Sequence, residues 1–218
     1  MSKRCIAPSE VVTPAAASSF GAVAESIIDS DYLTQVGRST VFPVSTKDFI
    51  DFTHGFGNTP LVIAFLKTNN PRLSVSQLVV LSAGGLLKIA DIITHDPPFR
   101  TEFYEIKPNS LDGALAGRTK VASIGALMSR FLLPYLPGTQ YAPDKQIKIF
   151  SGNPLGSRLE LFFHFKWIQP GLIVYEICAE GDLEGLGLKV LVAIIAAAIV
   201  ALLVAATGGA GAGVLVFA

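Results

Sequence analysis

Apolar residues change their spacing several times along the chain, and each change predicts a different element. Residues 1–22 are rich in Ala, Ser and Pro and are predicted to form a loose arm. Apolar residues at helical spacing from Phe20 onward predict a short helix, and residues 31–46 are predicted to be irregular. Three further helices are expected, one beginning near Ser45, one over 59–68 and one over 74–82 with Ser74 as its N-cap.

The centre of the chain predicts a β-hairpin followed by a long helix. Residues 86–94 and 102–107 have the composition of strands, and the connection between them contains Pro97 and Pro98, which favour a turn. The long helix is predicted over 113–131. Its core-facing residues are expected to be Leu115, Val121, Ile124, Leu127, Met128 and Phe131. Three more strands are predicted over 146–150, 159–167 and 172–178.

The order of these elements predicts the α/β fold class, with a helix crossing over the sheet. A chain of 218 residues fits one domain with attachments better than two full domains. The predicted division is an N-terminal arm and short helix over 1–45, a central domain over 46–185 and an apolar segment over 186–218.

The C-terminal segment predicts a membrane helix. Residues 190–206 are continuously apolar, and no charged residue occurs from 190 to 218. At 1.5 Å per residue this stretch spans roughly 25 Å, slightly less than the ~30 Å hydrocarbon core of a bilayer. The alternative interpretation is a buried helix followed by a terminal strand.

Charge and cysteine content limit the classes of function. Lys and Arg together number 17, as do Asp and Glu, so any contact with nucleic acid would depend on a local basic patch. Cys5 and Cys178 form neither a disulfide framework nor a zinc spacing, and two reduced thiols in a cytoplasmic protein are predicted. No Sec signal peptide is expected, because the basic N-terminus is not followed by a continuous apolar run.

Three charged residues of the predicted hairpin converge at one place. If the hairpin is centred on Pro98, Asp91 lies directly opposite Glu105, and opposed side chains point to the same face. Lys107 shares that face because side chains alternate along a strand. Two adjacent carboxylates repel each other unless a cation lies between them, and hard divalent cations prefer oxygen ligands.

This pattern resembles the PD-(D/E)XK nuclease superfamily, in which an acid ends one core strand and acid-X-Lys follows on the next. Asp91 matches the first part, Glu105-Ile106-Lys107 matches the second, and Ala90 stands where the name-giving proline would be. The resemblance covers about residues 74–150. It implies a restriction-endonuclease-like mixed sheet flanked by helices.

The resemblance also implies roles for these residues. Asp91, Glu105 and Lys107 would be the catalytic residues of a nuclease that depends on Mg²⁺ or Mn²⁺. The two carboxylates and the backbone carbonyl of Ile106 would hold the metal. Lys107 would orient or deprotonate the attacking water and help neutralise the phosphate. The family often adds an acid from a helix before the hairpin, and Glu25 is the best placed here.

Five further residues are candidates for supporting roles. Asn109 and Ser110 directly follow the second strand, so they are candidates for contact with nucleic acid or for capping the next helix. Arg118 and Lys120 are candidate phosphate contacts, the alternative being a solvated helix face. His95 is a further candidate because it lies at the tip of the hairpin, near the proposed site.

The sequence therefore predicts a metal-dependent nuclease that cuts DNA in preference to RNA. The apolar segment adds a membrane as a partner and suggests a bacterial toxin, effector or defence enzyme with an immunity or delivery partner. It would act in the cytoplasm, at the cytoplasmic face of a membrane or in a target cell. The alternative is a non-catalytic membrane-associated or particle-assembly protein on a nuclease-like scaffold. An ordinary solvated hairpin with a Glu–Lys pair is the plainest interpretation of the motif.

Overall fold

The structure is a computed structural model that describes residues 2–36, 42–45, 66–74, 76–77, 90–96 and 100–206. Its helices are α1 (Pro14–Val36), α2 (Leu111–Arg130) and α3 (Gly187–Ala206), with short 3-10 turns at Pro8–Glu10 and Pro154–Gly156. Its strands are β1 (Ser2–Ile6), β2 (Phe42–Ser45), β3 (Ile92–Asp96), β4 (Arg100–Pro108), β5 (Leu136–Pro137), β6 (Asp144–Gly152), β7 (Leu159–Gln169) and β8 (Leu172–Gly181).

The strands form one mixed sheet in the order β2-β3-β4-β8-β7-β6. Strand β1 also pairs with β8, and β5 also pairs with β4. The β4–β8 and β4–β5 pairings are parallel and the others are antiparallel. The mixed α/β class is confirmed, together with a single apolar helix, α3, near the C-terminal end of the described chain.

The two faces of the sheet are covered by different helices. Alternation along β8 sends Ile173 and Tyr175 to one face, and Leu172 and Val174 to the other. Helices α1 and α3 cover the first face through Phe20, Ala24, Ile28 and Tyr32 of α1 and Leu191, Ile195 and Ile199 of α3. Helix α2 covers the second face through Val121, Ile124, Leu127 and Met128. The central strand β8 is therefore buried on both sides, whereas the edge strand β6 has no buried residue.

The elements predicted for the second half of the chain are confirmed. Strands β4, β6, β7 and β8 contain the four predicted strands from 102 onward, and α2 begins two residues before the predicted start at 113. Leu115 was predicted to face the core and is 61% exposed, so that prediction is wrong. The buried residues of α2 begin at Gly117, after its exposed first turn.

The predictions for the N-terminal region are largely wrong. Residues 1–22 contribute β1 and the first part of α1 rather than a loose arm, and α1 begins at Pro14 instead of Phe20. Pro is favoured at the first helical position, and the following alanines have the highest helix propensity. Residues 31–46 are not irregular throughout, because α1 continues to Val36 and β2 follows at Phe42.

Part of the helical prediction lies outside the described residues. This applies to the helix expected near Ser45, to most of 59–68 and 74–82, and to residues 86–89 of the first predicted strand. The described ends agree with two of them: residues 66–69 are helical, and Ser74 Oγ accepts a hydrogen bond from the backbone N–H of Gln77 at 3.2 Å. Ser74 is thus the predicted N-cap.

Gly138 provides a test of how tightly the sheet packs. A Cβ at Gly138 would overlap the ring of Tyr104, which is fully buried and whose hydroxyl accepts a hydrogen bond from the backbone N–H of Tyr141. We expect Gly138→Ala to lower the free energy of unfolding by about 1–3 kcal/mol in chemical denaturation, because the ring cannot move away without strain.

Gly125→Ala is the matched control. Gly125 lies inside α2, and a Cβ there meets nothing within 4 Å. Its replacement should raise the free energy of unfolding by about 0.5–1 kcal/mol through helix propensity alone. Equal effects of the two substitutions would contradict the packing described around Tyr104.

Candidate functional site

The hairpin has the predicted register. Strand β3 pairs Ile92 with Tyr104 and Ile93 with Phe103, so continuing the register by one pair places Asp91 across from Glu105. Asp91 itself precedes the strand, in a bend. Its Oδ2 accepts a hydrogen bond from the backbone N–H of Ile106 at 2.6 Å, which fixes this carboxylate against β4.

Four charged side chains meet where the hairpin adjoins α2. Lys107 Nζ contacts Glu105 Oε1 directly and lies 3.8 Å from Asp91 Oδ2. Lys120 Nζ lies 2.8 Å from Glu105 Oε2 and 4.0 Å from Asp91 Oδ1. We refer to Asp91, Glu105, Lys107 and Lys120 as the acid–lysine cluster. The predicted catalytic triad of side chains is thus brought together, and a second lysine joins it.

Gly117 allows α2 to approach the sheet closely enough to place Lys120 there. A Cβ on Gly117 would lie 2.6 Å from Leu172 Cδ1 and 3.1 Å from Lys107 Cγ. Lys120 follows three residues later, on the same side of the helix. The sequence singled out Lys120 only as a phosphate contact, and its place beside Glu105 depends on a helix-to-sheet distance that no local pattern encodes.

Glu105 is fully buried, and its environment opposes ionisation. Neither of its carboxylate oxygens accepts a hydrogen bond with normal geometry, although each contacts a lysine. Burial raises the pKa of Glu105 to about 8, and the nearby Asp91 carboxylate adds to that increase while Lys107 and Lys120 oppose it. The ionised carboxylate of Glu105 therefore has too few hydrogen-bond donors to compensate for its burial.

Lys107 shows the opposite balance. Burial alone would lower the pKa of this lysine, but the Asp91 and Glu105 carboxylates together raise the pKa above its usual value. Lys107 Nζ also donates a hydrogen bond to the backbone carbonyl of Ile106 at 3.0 Å. Lys107 is consequently a stable cation at neutral pH, and it contacts all three of the predicted metal-ligand groups.

Glu25 of α1 contributes to the electrostatics of this site. Its charge is among the influences that raise the pKa of Lys107. The pKa of Tyr175 is raised mainly by burial and further by Glu25 and Asp91. Gly21, one helical turn before Glu25, lies so close to the Tyr175 hydroxyl that a Cβ would be 3.2 Å from it. With all groups ionised, Glu25 and the acid–lysine cluster carry a formal charge of −1.

The donor set of this site fits a hard divalent cation. Two carboxylates and a backbone carbonyl offer oxygen atoms, which Mg²⁺ and Mn²⁺ prefer. The orphaned carboxylate oxygens of Glu105 are the specific observation in favour, because a cation would satisfy them at a buried position where neutral donors are missing. The two lysines partly supply that charge in the described arrangement.

The supporting residues predicted from sequence have mixed outcomes. Ser110 is the N-cap of α2 and accepts a hydrogen bond from the backbone N–H of Gly113, so the capping alternative is confirmed. The side-chain amide of Asn109 donates to Glu176 Oε2 at 2.5 Å, and its contact with nucleic acid stays a prediction. Arg118 lies exposed on α2, where contact with nucleic acid stays a prediction.

His95 is not brought to the site. It lies four residues from Asp91 along the hairpin, about 13 Å at the usual strand rise. Its Nδ1 makes a hydrogen bond of 3.0 Å with the hydroxyl of Tyr135. The hairpin tip and the acid–lysine cluster are at opposite ends of β3, because the strand pairs run from Ile92 to Asp96 between them.

The prediction of two reduced thiols is wrong, because Cys5 and Cys178 are joined by a disulfide bond. Antiparallel pairing of β1 with β8 places the two cysteines directly opposite each other. Cys5 lies in the segment that was predicted to be a loose arm, so its pairing with Cys178 was not predicted. His164 and Glu176 lie beside the cysteines and form a second cluster. It was not predicted from the sequence, because Cys5 joins it only through the long-range pairing of β1 with β8.

Comparisons of the chain with protein-family models, with curated proteins and with solved structures find no match. Function is therefore inferred from the geometry of the protein's own residues.

The raised pKa of Glu105 predicts how stability depends on pH. Between about pH 4.5 and pH 8 the folded protein keeps the Glu105 proton while the unfolded chain has released it. The free energy of unfolding should therefore fall as pH rises through this window, by on the order of 1 kcal/mol per pH unit from this group. Denaturant unfolding in EDTA at several pH values measures the slope.

Glu105→Gln removes the titrating group while keeping its shape. The difference in unfolding free energy between this variant and the parent should grow in favour of the variant as pH rises from 5 to 9. A pH-independent difference would show that Glu105 is ionised throughout and that the two lysines compensate its burial fully.

Proposed function

We propose that this protein is a metal-dependent phosphodiester hydrolase that acts on nucleic acid, with DNA favoured over RNA. The observation that carries the proposal is the pair of opposed carboxylates at Asp91 and Glu105, with Glu105 fully buried and two lysines against it. An ordinary solvated hairpin would not bury this carboxylate. The resemblance of Asp91 and Glu105-Ile106-Lys107 to the PD-(D/E)XK pattern suggests a restriction-endonuclease-like arrangement.

Asp91, Glu105 and the carbonyl of Ile106 would hold Mg²⁺ or Mn²⁺. Such a cation polarises a phosphoryl oxygen and makes bound water a better nucleophile at neutral pH. The protein's own contribution is to present these oxygens at a buried position, where Asp91 is fixed by the backbone N–H of Ile106. Binding a cation requires Glu105 to lose its proton, so affinity for the metal should increase as pH rises toward 8.

Lys107 is assigned an electrostatic role. Its raised pKa makes it a poor acceptor of a proton from water, whereas its charge is available to a phosphate that gains negative charge in the transition state. Lys120 supplies a second positive charge from α2. A phosphate entering this site would compete with Glu105 for both lysines, which leaves the carboxylate to a metal ion.

Contact with nucleic acid beyond the scissile phosphate would depend on few residues. The net charge of the chain is zero, so a large basic surface is not available. Arg118 is exposed on the same helix as Lys120 and is the candidate that the structure leaves accessible. The modest basic surface favours a substrate that is delivered or held locally over one captured from dilute solution.

Helix α3 connects the proposal to a membrane. One helix among the described residues is long and apolar enough to span a bilayer, over Gly187–Ala205, and only 17% of its residues are buried. One stripe, formed by Leu191, Ile195 and Ile199, packs into the core beside α1. Leu188, Val200 and Val204 are exposed on the rest of α3, while Val190, Ile194, Ala198, Leu202 and Leu203 are partly buried against the core. If α3 contacts the membrane through its exposed residues, Leu191, Ile195 and Ile199 can stay packed in the core. If α3 spans the bilayer, these three residues must leave the core.

This helix also supports a second function of a different class. A particle-assembly or membrane-associated protein without catalysis would use the exposed face of α3 for contact with neighbouring subunits or lipid. The acid–lysine cluster would then be a buried ion-pair network, which breaks even energetically at best. The toxin, effector or defence context, and a partner for immunity or delivery, remain proposals that depend on the catalytic function.

Activity of the full chain tests the leading proposal. Cleavage of plasmid DNA and of RNA is measured with Mg²⁺, Mn²⁺ or EDTA, in detergent. We expect metal-dependent cleavage that Asp91→Asn and Lys107→Ala each reduce at least about 100-fold, because the first removes a metal-ligand carboxylate and the second removes the positive charge at the reacting phosphate. Lys107→Arg should retain more activity than Lys107→Ala if the charge is the essential property.

The controls are matched in residue type. Asp112→Asn and Lys148→Ala change an exposed aspartate of α2 and an exposed lysine of β6, and both should leave the rate unchanged. The full chain is necessary because a fragment ending before α3 would remove three buried residues of the core. A folded protein that neither cuts any substrate nor binds a divalent cation would exclude the hydrolase and favour the assembly function.

Substitution of the exposed face of α3 tests the membrane association. Val200 and Val204 are exposed on this helix. Val200→Glu with Val204→Glu should abolish flotation with lipid vesicles, because each charge at a bilayer centre costs about 2.5–3.5 kcal/mol. Ile195→Ala, in the packed stripe, is the control and should lower stability without preventing flotation. A defined oligomer without detergent, dispersed by the double substitution, would instead indicate assembly through α3.

A further inference from the structure

A second cluster lies on the sheet at the junction of β1, β7 and β8. Cys5 opposes Cys178 in the β1–β8 ladder, and His164 opposes Glu176 in the β7–β8 ladder. Glu176 and Cys178 are two residues apart on β8 and therefore share a face. One ligand atom from each of the four residues lies within 4.8 Å of the others. The oxygen, nitrogen and sulfur atoms are thus close enough to surround a single ion.

The cluster is enclosed by the protein. Cys178, His164 and Glu176 are all buried, and Cys5 is partly buried. Glu176 is held in place by the side-chain amide of Asn109 on Oε2 and by Lys166 Nζ, 3.2 Å from Oε1. A carboxylate held on both oxygens in this way has a fixed position relative to the imidazole and the sulfur atoms.

The imidazole of His164 lies between two carboxylates. Its Nδ1 is 2.9 Å from Glu176 Oε1, and its Nε2 is 2.7 Å from Asp144 Oδ1. Both contacts are hydrogen bonds only when the ring carries two protons. In the neutral ring with the proton on Nε2, the Nδ1 lone pair faces the Glu176 carboxylate, and the two repel each other. A cation bound by both Nδ1 and the carboxylate would replace this repulsion with two attractive contacts.

Asp144 occupies the position of an outer partner of a metal-binding histidine. A ligating imidazole generally donates its other ring N–H to a carboxylate, which fixes the tautomer and orientation of the ring. Asp144 accepts a hydrogen bond from Nε2 of His164 in this way. The Nδ1 atom of the ring is then directed at Glu176 and the cysteines. This arrangement is independent of the acid–lysine cluster and of the proposed hydrolase activity.

We propose that Cys5, His164, Glu176 and Cys178 form a Zn²⁺ site when the disulfide between the cysteines is reduced. Two thiolates, one imidazole and one carboxylate are the ligand types that tetrahedral zinc accepts. The oxidised chain has no thiolates to offer and holds β1 on β8 covalently, while the reduced chain holds the same strands through the metal. The pair of cysteines thus alternates between two cross-links of the same strands.

The chemistry balances with a dithiol as the reductant. One thiolate of the dithiol attacks a sulfur of the Cys5–Cys178 bond and releases the other cysteine as a thiolate. The second thiolate of the dithiol then attacks the reductant's own sulfur in the mixed disulfide and releases the remaining cysteine as a thiolate. The dithiol becomes a cyclic disulfide and loses two electrons, and Cys5 and Cys178 each gain one electron and one proton. Binding of Zn²⁺ then releases both thiol protons to solvent.

Cobalt and zinc binding to the untagged full chain in detergent tests the proposal. The protein is reduced with a dithiol and freed of it by anaerobic desalting. We expect the reduced chain to bind one Co²⁺ at this cluster, with sulfur-to-cobalt charge-transfer absorption and tetrahedral visible bands, and one Zn²⁺ to displace that cobalt. A second Co²⁺ held by the oxygen ligands of the acid–lysine cluster would add no charge-transfer band. The oxidised chain should show no charge-transfer absorption. Glu105→Gln should leave these signals unchanged, which separates this site from the acid–lysine cluster.

Asp144→Asn provides a variant that is expected to fold, because Asp144 is exposed at the edge strand β6. It should weaken Zn²⁺ binding by about 10–100-fold, since it removes the negative charge of the outer partner of His164. Cys178→Ser should abolish the charge-transfer band. A reduced, folded chain with two titratable thiols and no such band on addition of Co²⁺ would overturn the proposal, as would unchanged zinc affinity in Asp144→Asn.

Discussion

Strand β8 pairs with three other strands, and these pairings position β4 beside it and bring the members of the second cluster together. Its first half lies parallel to β4, which carries Glu105 and Lys107, and its second half lies antiparallel to β1. Strand β7 covers the other edge along nearly the whole length. Because every residue of β8 from Leu172 to Ala179 is buried, its backbone groups must all be satisfied by these partners. The position of β4, and hence of the acid–lysine cluster, follows from that requirement.

Burying Glu105 costs free energy that the fold must recover elsewhere. Buried ion pairs are weak contributors to stability, and an apolar residue at this position would serve the core at least as well. The hairpin nevertheless places two carboxylates face to face and then adds two lysines from different elements. Charged groups with perturbed pKa values in such an arrangement are typical of a binding site for charged ligands. A divalent cation and a phosphate are the ligands proposed for it.

Local patterns are sufficient to predict the hairpin and the elements that follow it. Pro97 and Pro98 predict a turn, so the register that opposes Asp91 to Glu105 can be counted from the sequence, and the β3–β4 pairing agrees with it. Helix α2 and strands β6 to β8 are recognisable because their apolar residues repeat over many positions. The convergence of three of the four charged residues can therefore be inferred from the order of amino acids alone.

Long-range contacts account for what the sequence does not reveal. Strand β1 is polar and short, and only its pairing with β8 distinguishes it from an arm. Lys120 reaches Glu105 because Gly117 allows a close approach of α2, and His95 is separated from the site by the length of β3. Cys5 reaches Cys178 and Glu176 only through the long-range pairing of β1 with β8, whereas His164 opposes Glu176 in the pairing of the consecutive strands β7 and β8. None of these contacts leaves a periodic signal in the chain.

The link between Cys5 and Cys178 closes a loop that contains most of the protein, since 173 positions separate the two residues. In its oxidised form the chain is in effect a ring with a tail that carries α3. A ring of this size has fewer unfolded conformations, which favours the folded state by about 5 kcal/mol on the chain-entropy model. A protease that cuts the ring once opens it without releasing a fragment, so the hairpin, α2 and α3 remain parts of one covalent molecule after such a cut.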